Sequence, residues 1–169
     1  MDHGQAFIHR SRHYLNGEYL PKIRRSLQGL TREDLWWRPN EASNSMGNLV
    51  LHLAGNVRQW VVSGIGRRPD IRRRQEEFDR REGLDGPELL ARLESALAEV
   101  DSVLAELEPS ELEETRVIQG LEVTVLDALY HVVEHFSMHT GQIIYLSKLR
   151  SDLDLEFYQV KDGRVTTHW

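Results

Sequence analysis

The chain predicts an all-α fold, a four-helix bundle, on three observations. Apolar residues recur at three- and four-residue spacing in four separate segments, the signature of helices with one buried face. Helix-opening residues stand in front of the last three of them. A charged stretch, Arg67 to Gly86, separates the second segment from the third. It is much longer than the links that join antiparallel neighbours. Such a crossover can return along the bundle, which predicts an up-down-down-up order with helices two and three parallel.

The first helix is expected from about Gln5 to Leu27, carried by Phe7, Ile8, Tyr14, Leu15, Tyr19 and Ile23. Pro21 lacks an N–H and predicts a kink near Tyr19. Thr31 is placed to cap a short turn of helix ahead of Trp36-Trp37-Arg38-Pro39. The second helix opens at Ser43 or Ser45 and runs through Leu49, Leu53, Val57 and Trp60 to Gly64 or Gly66. Asp85-Gly86-Pro87-Glu88 opens the third, with proline and an acid in the first turn. Leu107 to Leu121 is expected as a loop, with a small hairpin around Val117 to Val123. Thr124 and Asp127 form a capping-box pattern at the start of the fourth helix, Leu126 to Leu149. The tail, Asp152 to Trp169, is expected to be extended, with a turn at Lys161-Asp162-Gly163, and to lie against the bundle.

With 169 residues, 40% of them hydrophobic, the chain is long enough for one sizeable core, so residues 1–169 are read as a single domain. A net charge of −6 provides no global attraction for nucleic acid. No apolar run approaches the length of a membrane span, and the start, Met1 to Gln5, lacks the charged-then-apolar order of a secretory signal. The expected location is the cytoplasm, with no membrane partner. The chain has no cysteine. That excludes disulfides, protein thiolate ligands and a cysteine nucleophile, and leaves any metal to nitrogen and oxygen donors.

His135 and His139 stand four apart on the fourth helix, so they share a face. On a helical wheel His139 lies roughly 40° from His135, among Ala128, Val132, Ile143 and Leu146. Two polar rings buried in an apolar stripe cost several kcal/mol without partners. A shared metal offsets that cost; so do hydrogen bonds to other side chains or water, and spacing alone does not decide between them. His131 falls at the stripe's margin and is read as a neighbour of the site or a rim residue. His52, beside Leu49, Leu53 and Trp60 on the second helix, is either a hydrogen-bonded core residue or a third ligand from a facing helix. Three nitrogens with one open position is the pattern of a catalytic metal site. Glu134 points away, and Phe136 follows His135, so the zinc-protease HExxH pattern is absent. His9 and His13, amid Arg10, Arg12 and Asn16, read as a solvated pair, and His3 and His168 as incidental.

The run His131-Val132-Val133-Glu134-His135-Phe136-Ser137-Met138-His139-Thr140-Gly141-Gln142-Ile143 resembles the last-helix signature of the DinB/YfiT-like metalloprotein superfamily, and points to its DUF1572 branch. Ser45-Met46-Gly47-Asn48-Leu49-Val50-Leu51-His52-Leu53 resembles the second-helix signature, and Leu35-Trp36-Trp37-Arg38-Pro39 the segment before it. The resemblance covers most of the chain. It implies a four-helix bundle binding a divalent metal, zinc or nickel, through one histidine of the second helix and two of the last, which map onto His52, His135 and His139. It also implies homodimers, and relatives that act as S-transferases or isomerases with low-molecular-weight thiols such as bacillithiol, mycothiol or glutathione.

Two functional readings follow. One is a metal-dependent enzyme of the thiol S-transferase type acting on a small molecule, in which the metal activates a thiol brought in from outside. Gln142 is then placed to hydrogen-bond the cofactor or to fix a histidine tautomer. Arg72, Arg73 and Arg74 either receive carboxylates of the thiol or are simply solvated. Metal-assisted hydrolysis needs the same site. The alternative is a non-catalytic stress-response or binding module whose metal site is structural or vestigial. Seven arginines between Arg67 and Arg81 interleave with Glu76, Glu77, Asp79 and Glu82, and are read as paired within a helix rather than offered to nucleic acid.

Overall fold

The structure, a computed structural model, describes residues 2–151 and 154–168. Asp152, Leu153 and Trp169, parts of the expected tail, lie outside the described residues. Among the described residues the chain is mainly helical, with two small antiparallel hairpins.

The first helical segment is α1 (His3–His13), a π turn (Tyr14–Tyr19) and α2 (Leu20–Leu27). The expected kink is thus a widened turn. The Leu20 N–H bonds back to the Leu15 carbonyl, five residues earlier. Widening places the extra residue just ahead of Pro21, where an α-helix would clash and lose a donor. α3 (Arg32–Trp36) has the reciprocal Thr31–Asp34 capping box. α4 (Met46–Val57) is capped by Ser45, not Ser43, with Asn48 completing the box. A second π turn, Arg58–Ile65, continues it to Gly66.

The crossover carries a short helix, α5 (Arg74–Asp79). α6 (Gly86–Glu106) opens on the Asp85–Glu88 box with Pro87 in its first turn. A single 3-10 turn, Pro109–Glu113, interrupts the expected loop. β1 (Thr115–Ile118) and β2 (Leu121–Thr124) pair in register Thr115 with Thr124 and Ile118 with Leu121. Gln119 and Gly120, both at positive φ, make the two-residue turn that matches strand twist. α7 (Val125–Arg150) follows directly, with Thr124 and Asp127 capping it.

The described part of the tail is extended and turns where expected, and its strands pair with each other. β3 (Tyr158–Lys161) and β4 (Arg164–Thr167) form a hairpin turning at Asp162-Gly163, with every strand residue exposed. Buried Leu155 and the bond from Arg25 to the His168 carbonyl, 2.7 Å, fasten it.

α4 packs against both α6 and α7, and α2 packs on α7. Leu15, Ile23, Leu53, Val57, Leu93, Leu97, Val132 and Phe136 are buried in one continuous cluster. Among the described residues no helix is long and apolar enough to cross a membrane.

Candidate metal centre

α4 supplies His52, and α7 supplies His135 and His139. Each projects from the face that its helix turns toward the core, so the packing of α4 on α7 brings them together. One donor nitrogen from each lies within 4.8 Å of the other two. His135 Nε2 is 3.1 Å from His52 Nε2 and 3.2 Å from His139 Nε2. Nitrogens bound at about 2.0–2.1 Å around a tetrahedral ion stand roughly 3.3 Å apart, so these two edges fit one.

The outer nitrogens show why a cation suits this arrangement. His52 Nδ1 faces a Glu77 carboxylate oxygen at 3.0 Å, and His139 Nδ1 faces Gln142 Oε1 at 2.6 Å. Each oxygen can accept, and a ring that donates to it from Nδ1 has a lone pair on Nε2 aimed at His135. His135 Nδ1 is buried with no protein partner. Burial first, then the rings of His139, His52 and His131 and the Arg72 guanidinium, push His135 down to about 3. Burial also holds His139 and His131 below the usual imidazole range. Where all three Nε2 atoms carry lone pairs those pairs repel one another, and a shared cation reverses the sign.

His131 stands outside the trio. It stacks on Trp60 with ring centroids 4.1 Å apart, and its centroid is 5.3 Å from that of His135. Gln142 meets His139 rather than open space, while its residue stays exposed. His9 and His13 are exposed.

Arg72 departs from both sequence readings. It is neither solvated nor free for a ligand: its side chain is 3% exposed and forks onto Glu77, with Nε to Oε1 and Nη2 to Oε2 both at 2.8 Å. Its Nη1 donates to Gln59 Oε1 at 2.8 Å. Burial alone would raise the Glu77 carboxyl, but the hydrogen bonds from Arg72 and His52 outweigh it and hold it low. Arg73 does pair locally, with Glu76, and Arg74 lies over the Phe78 ring. Phe78 in turn packs on the His52 ring at 4.7 Å. Asn48 Nδ2 donates to the carbonyls of Glu77 and Arg80, both at 2.8 Å, and clamps α5 to the start of α4.

Glu77 and Phe78 are the site residues that sequence reasoning did not find, and Arg72 enters it only as a ligand contact or a solvated charge. A charge run carries no periodic signal for one buried pair. The available hint was Gly55, a glycine inside a helix. A Cβ there would collide with the Glu77 carboxylate and stand 3.0 Å from Arg72 Nε. On the outer side of this pair a cleft of about 580 Å³ runs between Leu51, Ala54, Val62 and the crossover. Arg72 and Glu77 line it and the imidazoles do not, so the pair is a wall between cleft and trio.

Comparison with known proteins bears on the fold and the family. Among curated proteins none matches the chain. A conserved protein from Enterococcus faecalis has the same fold, with a TM-score of 0.73 and 17% identity over 89% of this chain and 98% of that one. A DinB-like protein from Bacillus cereus ATCC 10987 superposes with a TM-score of 0.62 and 16% identity, over 78% of this chain and 85% of that one. The family model described as a protein of unknown function, DUF1572, matches residues 2–164. With nearly its whole length matched and a DinB-like fold, the chain belongs to the DUF1572 family.

Proposed function

We propose that His52, His135 and His139 hold a divalent metal, zinc or nickel, and that the protein is a thiol-dependent S-transferase of the DinB-like type. The observation that carries the metal reading is the convergence of three Nε2 atoms, two of them on rings whose far nitrogen faces an oxygen acceptor. The four-helix, up-down-down-up arrangement is the topology that fits the packing of α4 on α7 and α6.

A divalent ion at this trio would lower the pKa of an incoming thiol and favour the thiolate at neutral pH. The chain has no cysteine, so the sulfur comes from a small molecule and no protein thiol competes for the ion. In the transfer a sulfur–carbon bond forms at an electrophile, its bond to a leaving group breaks, and the thiol proton departs with that group. The chain's own part is to orient the rings. Gln142 fixes His139, burial keeps His135 neutral, and Phe78 limits the tilt of His52. We also propose a homodimer in the cytoplasm, formed through the exposed face of α7.

Elemental analysis of the purified protein, native and as His135→Ala, tests the metal. One equivalent is expected in the native chain and a loss of at least tenfold in the variant. Turnover of an activated electrophile with bacillithiol, mycothiol or glutathione, metal-loaded against metal-free, tests the transfer. Metal retention with no thiol-dependent rate would leave the non-catalytic reading in its place.

A further inference from the structure

The crossover helix does more than close a gap between α4 and α6. Resting on the metal reading above, we propose that Glu77, held by Arg72, is a positioning residue that fixes His52 in the tautomer with its proton on Nδ1 and its lone pair on Nε2.

Two contacts to one atom carry the argument. Glu77 Oε2 and Arg72 Nη2 each lie 3.0 Å from His52 Nδ1. They demand opposite states. A protonated Nδ1 donates to the carboxylate and cannot accept from the guanidinium. A bare Nδ1 accepts from Arg72, but then the proton sits on Nε2, the atom that faces His135, and that atom has no lone pair to give. Only the first state can ligate. Glu77 secures it, because a carboxylate is an acceptor only, and three of the five Arg72 N–H groups are already committed to the two carboxylate oxygens and Gln59. The bidentate fork also stops the carboxylate from rotating away. This is the carboxylate–histidine arrangement that orients metal-binding rings and raises their basicity.

The packing is built for that contact. Gly55 lies one turn beyond His52 on α4, and a side chain there would occupy the place of the Glu77 carboxylate. Asn48 anchors the backbone of α5 from a second point. Glu77 thus reaches the ring from a segment 25 residues away in sequence, across a glycine that leaves the space open.

The test uses the full chain, its Glu77→Gln and Gly55→Ala variants, and Glu76→Gln as a control on an exposed neighbour that pairs only with Arg73. Ring nitrogen shifts of ¹⁵N-histidine in the metal-free protein report the tautomer. Competition with a chelator reports the zinc affinity. The native chain and the Glu76→Gln control are expected to show His52 protonated at Nδ1. Glu77→Gln and Gly55→Ala are expected to lose that preference and to bind zinc about 10–100-fold more weakly, with helical content unchanged. A native His52 protonated at Nε2, or both variants matching the native tautomer and affinity, overturns the proposal. If the native chain binds no zinc at all, the metal reading fails, and the tautomer measurement still decides the role of Glu77.

Discussion

A single hydrogen atom decides whether Gly47 can be replaced. A Cβ at this position would stand 2.9–3.0 Å from three ring atoms of Trp36. The indole cannot slide aside freely, because its Nε1 donates to the Leu84 carbonyl at 2.9 Å and the ring is 8% exposed. Overpacking of this kind costs about 1–3 kcal/mol. Gly47→Ala is therefore expected to lower the midpoint of urea unfolding, although alanine is the better helix former. A midpoint at or above the native one would show that the indole relaxes cheaply. At this scale the sequence was legible where chemistry repeats with helical period. His135 and His139 announce themselves by a four-residue step in an apolar stripe, and His52 by the resemblance of its helix. Glu77 and Arg72 lie within seven arginines and four acids on a segment with no apolar rhythm, and nothing local distinguishes the buried pair from its solvated neighbours. Their burial is set by α4, a different part of the chain.

Helix ends show the same division between local and long-range information. The capping boxes at Thr31, Ser45, Asp85 and Thr124 depend on side chains three residues apart, so short sequence windows reveal most of them. The two π turns do not appear in such windows, since an i→i+5 bond has no residue signature of its own. The second of them sets where Trp60 meets His131. One cap also joins two elements. Asp34 accepts from Thr31 within α3 and from Arg150 at the end of α7, with Nε 2.9 Å away. The Thr31 and Arg150 hydrogen bonds hold its carboxyl below the usual 3.8, against a smaller opposing effect of burial. Because the folded pKa is depressed, this contribution is complete above about pH 4 and is lost as the pH falls through the folded value. Asp34→Asn is expected to cost about 1 kcal/mol near pH 7. The difference from native should shrink toward zero as acid protonates Asp34. Parallel denaturation curves at pH 7 and pH 2.5 measure both ends, and a gap that widens in acid would reverse the assignment.

Across the whole molecule, one face of α7 looks inward to the trio and another looks outward with the wrong character for solvent. Leu126, Tyr130, Met138, Tyr145 and Leu149 are each 42–65% exposed and follow one another along the helix. At 1.5 Å per residue the stripe runs about 35 Å, a length typical of a helix-to-helix contact. Gly141 lies within it, and a Cβ there would meet nothing within 4 Å. A glycine in mid-helix costs about 1 kcal/mol relative to alanine, and among the described residues no neighbour accounts for it. Close approach of a second α7 would: a small residue at the crossing lets two helix backbones come near, with Met138 and Tyr145 on either side. The two explanations of Gly141 predict opposite signs. If the chain works alone, Gly141→Ala adds about 1 kcal/mol to stability and leaves the sedimentation coefficient unchanged. If α7 pairs with its copy, Gly141→Leu and Tyr145→Glu each shift the protein toward monomer in sedimentation velocity, and the thermal midpoint becomes dependent on concentration in the native chain only. Dimerisation is the expected outcome. A native chain that sediments as a monomer at micromolar concentration, with Gly141→Ala more stable than native, would remove it. His135 and His139 lie on the inward face of the same helix, so pairing would stiffen the element that carries them. Variants that break the dimer are therefore expected to bind zinc more weakly without any change at the ligands, measured by the same chelator competition.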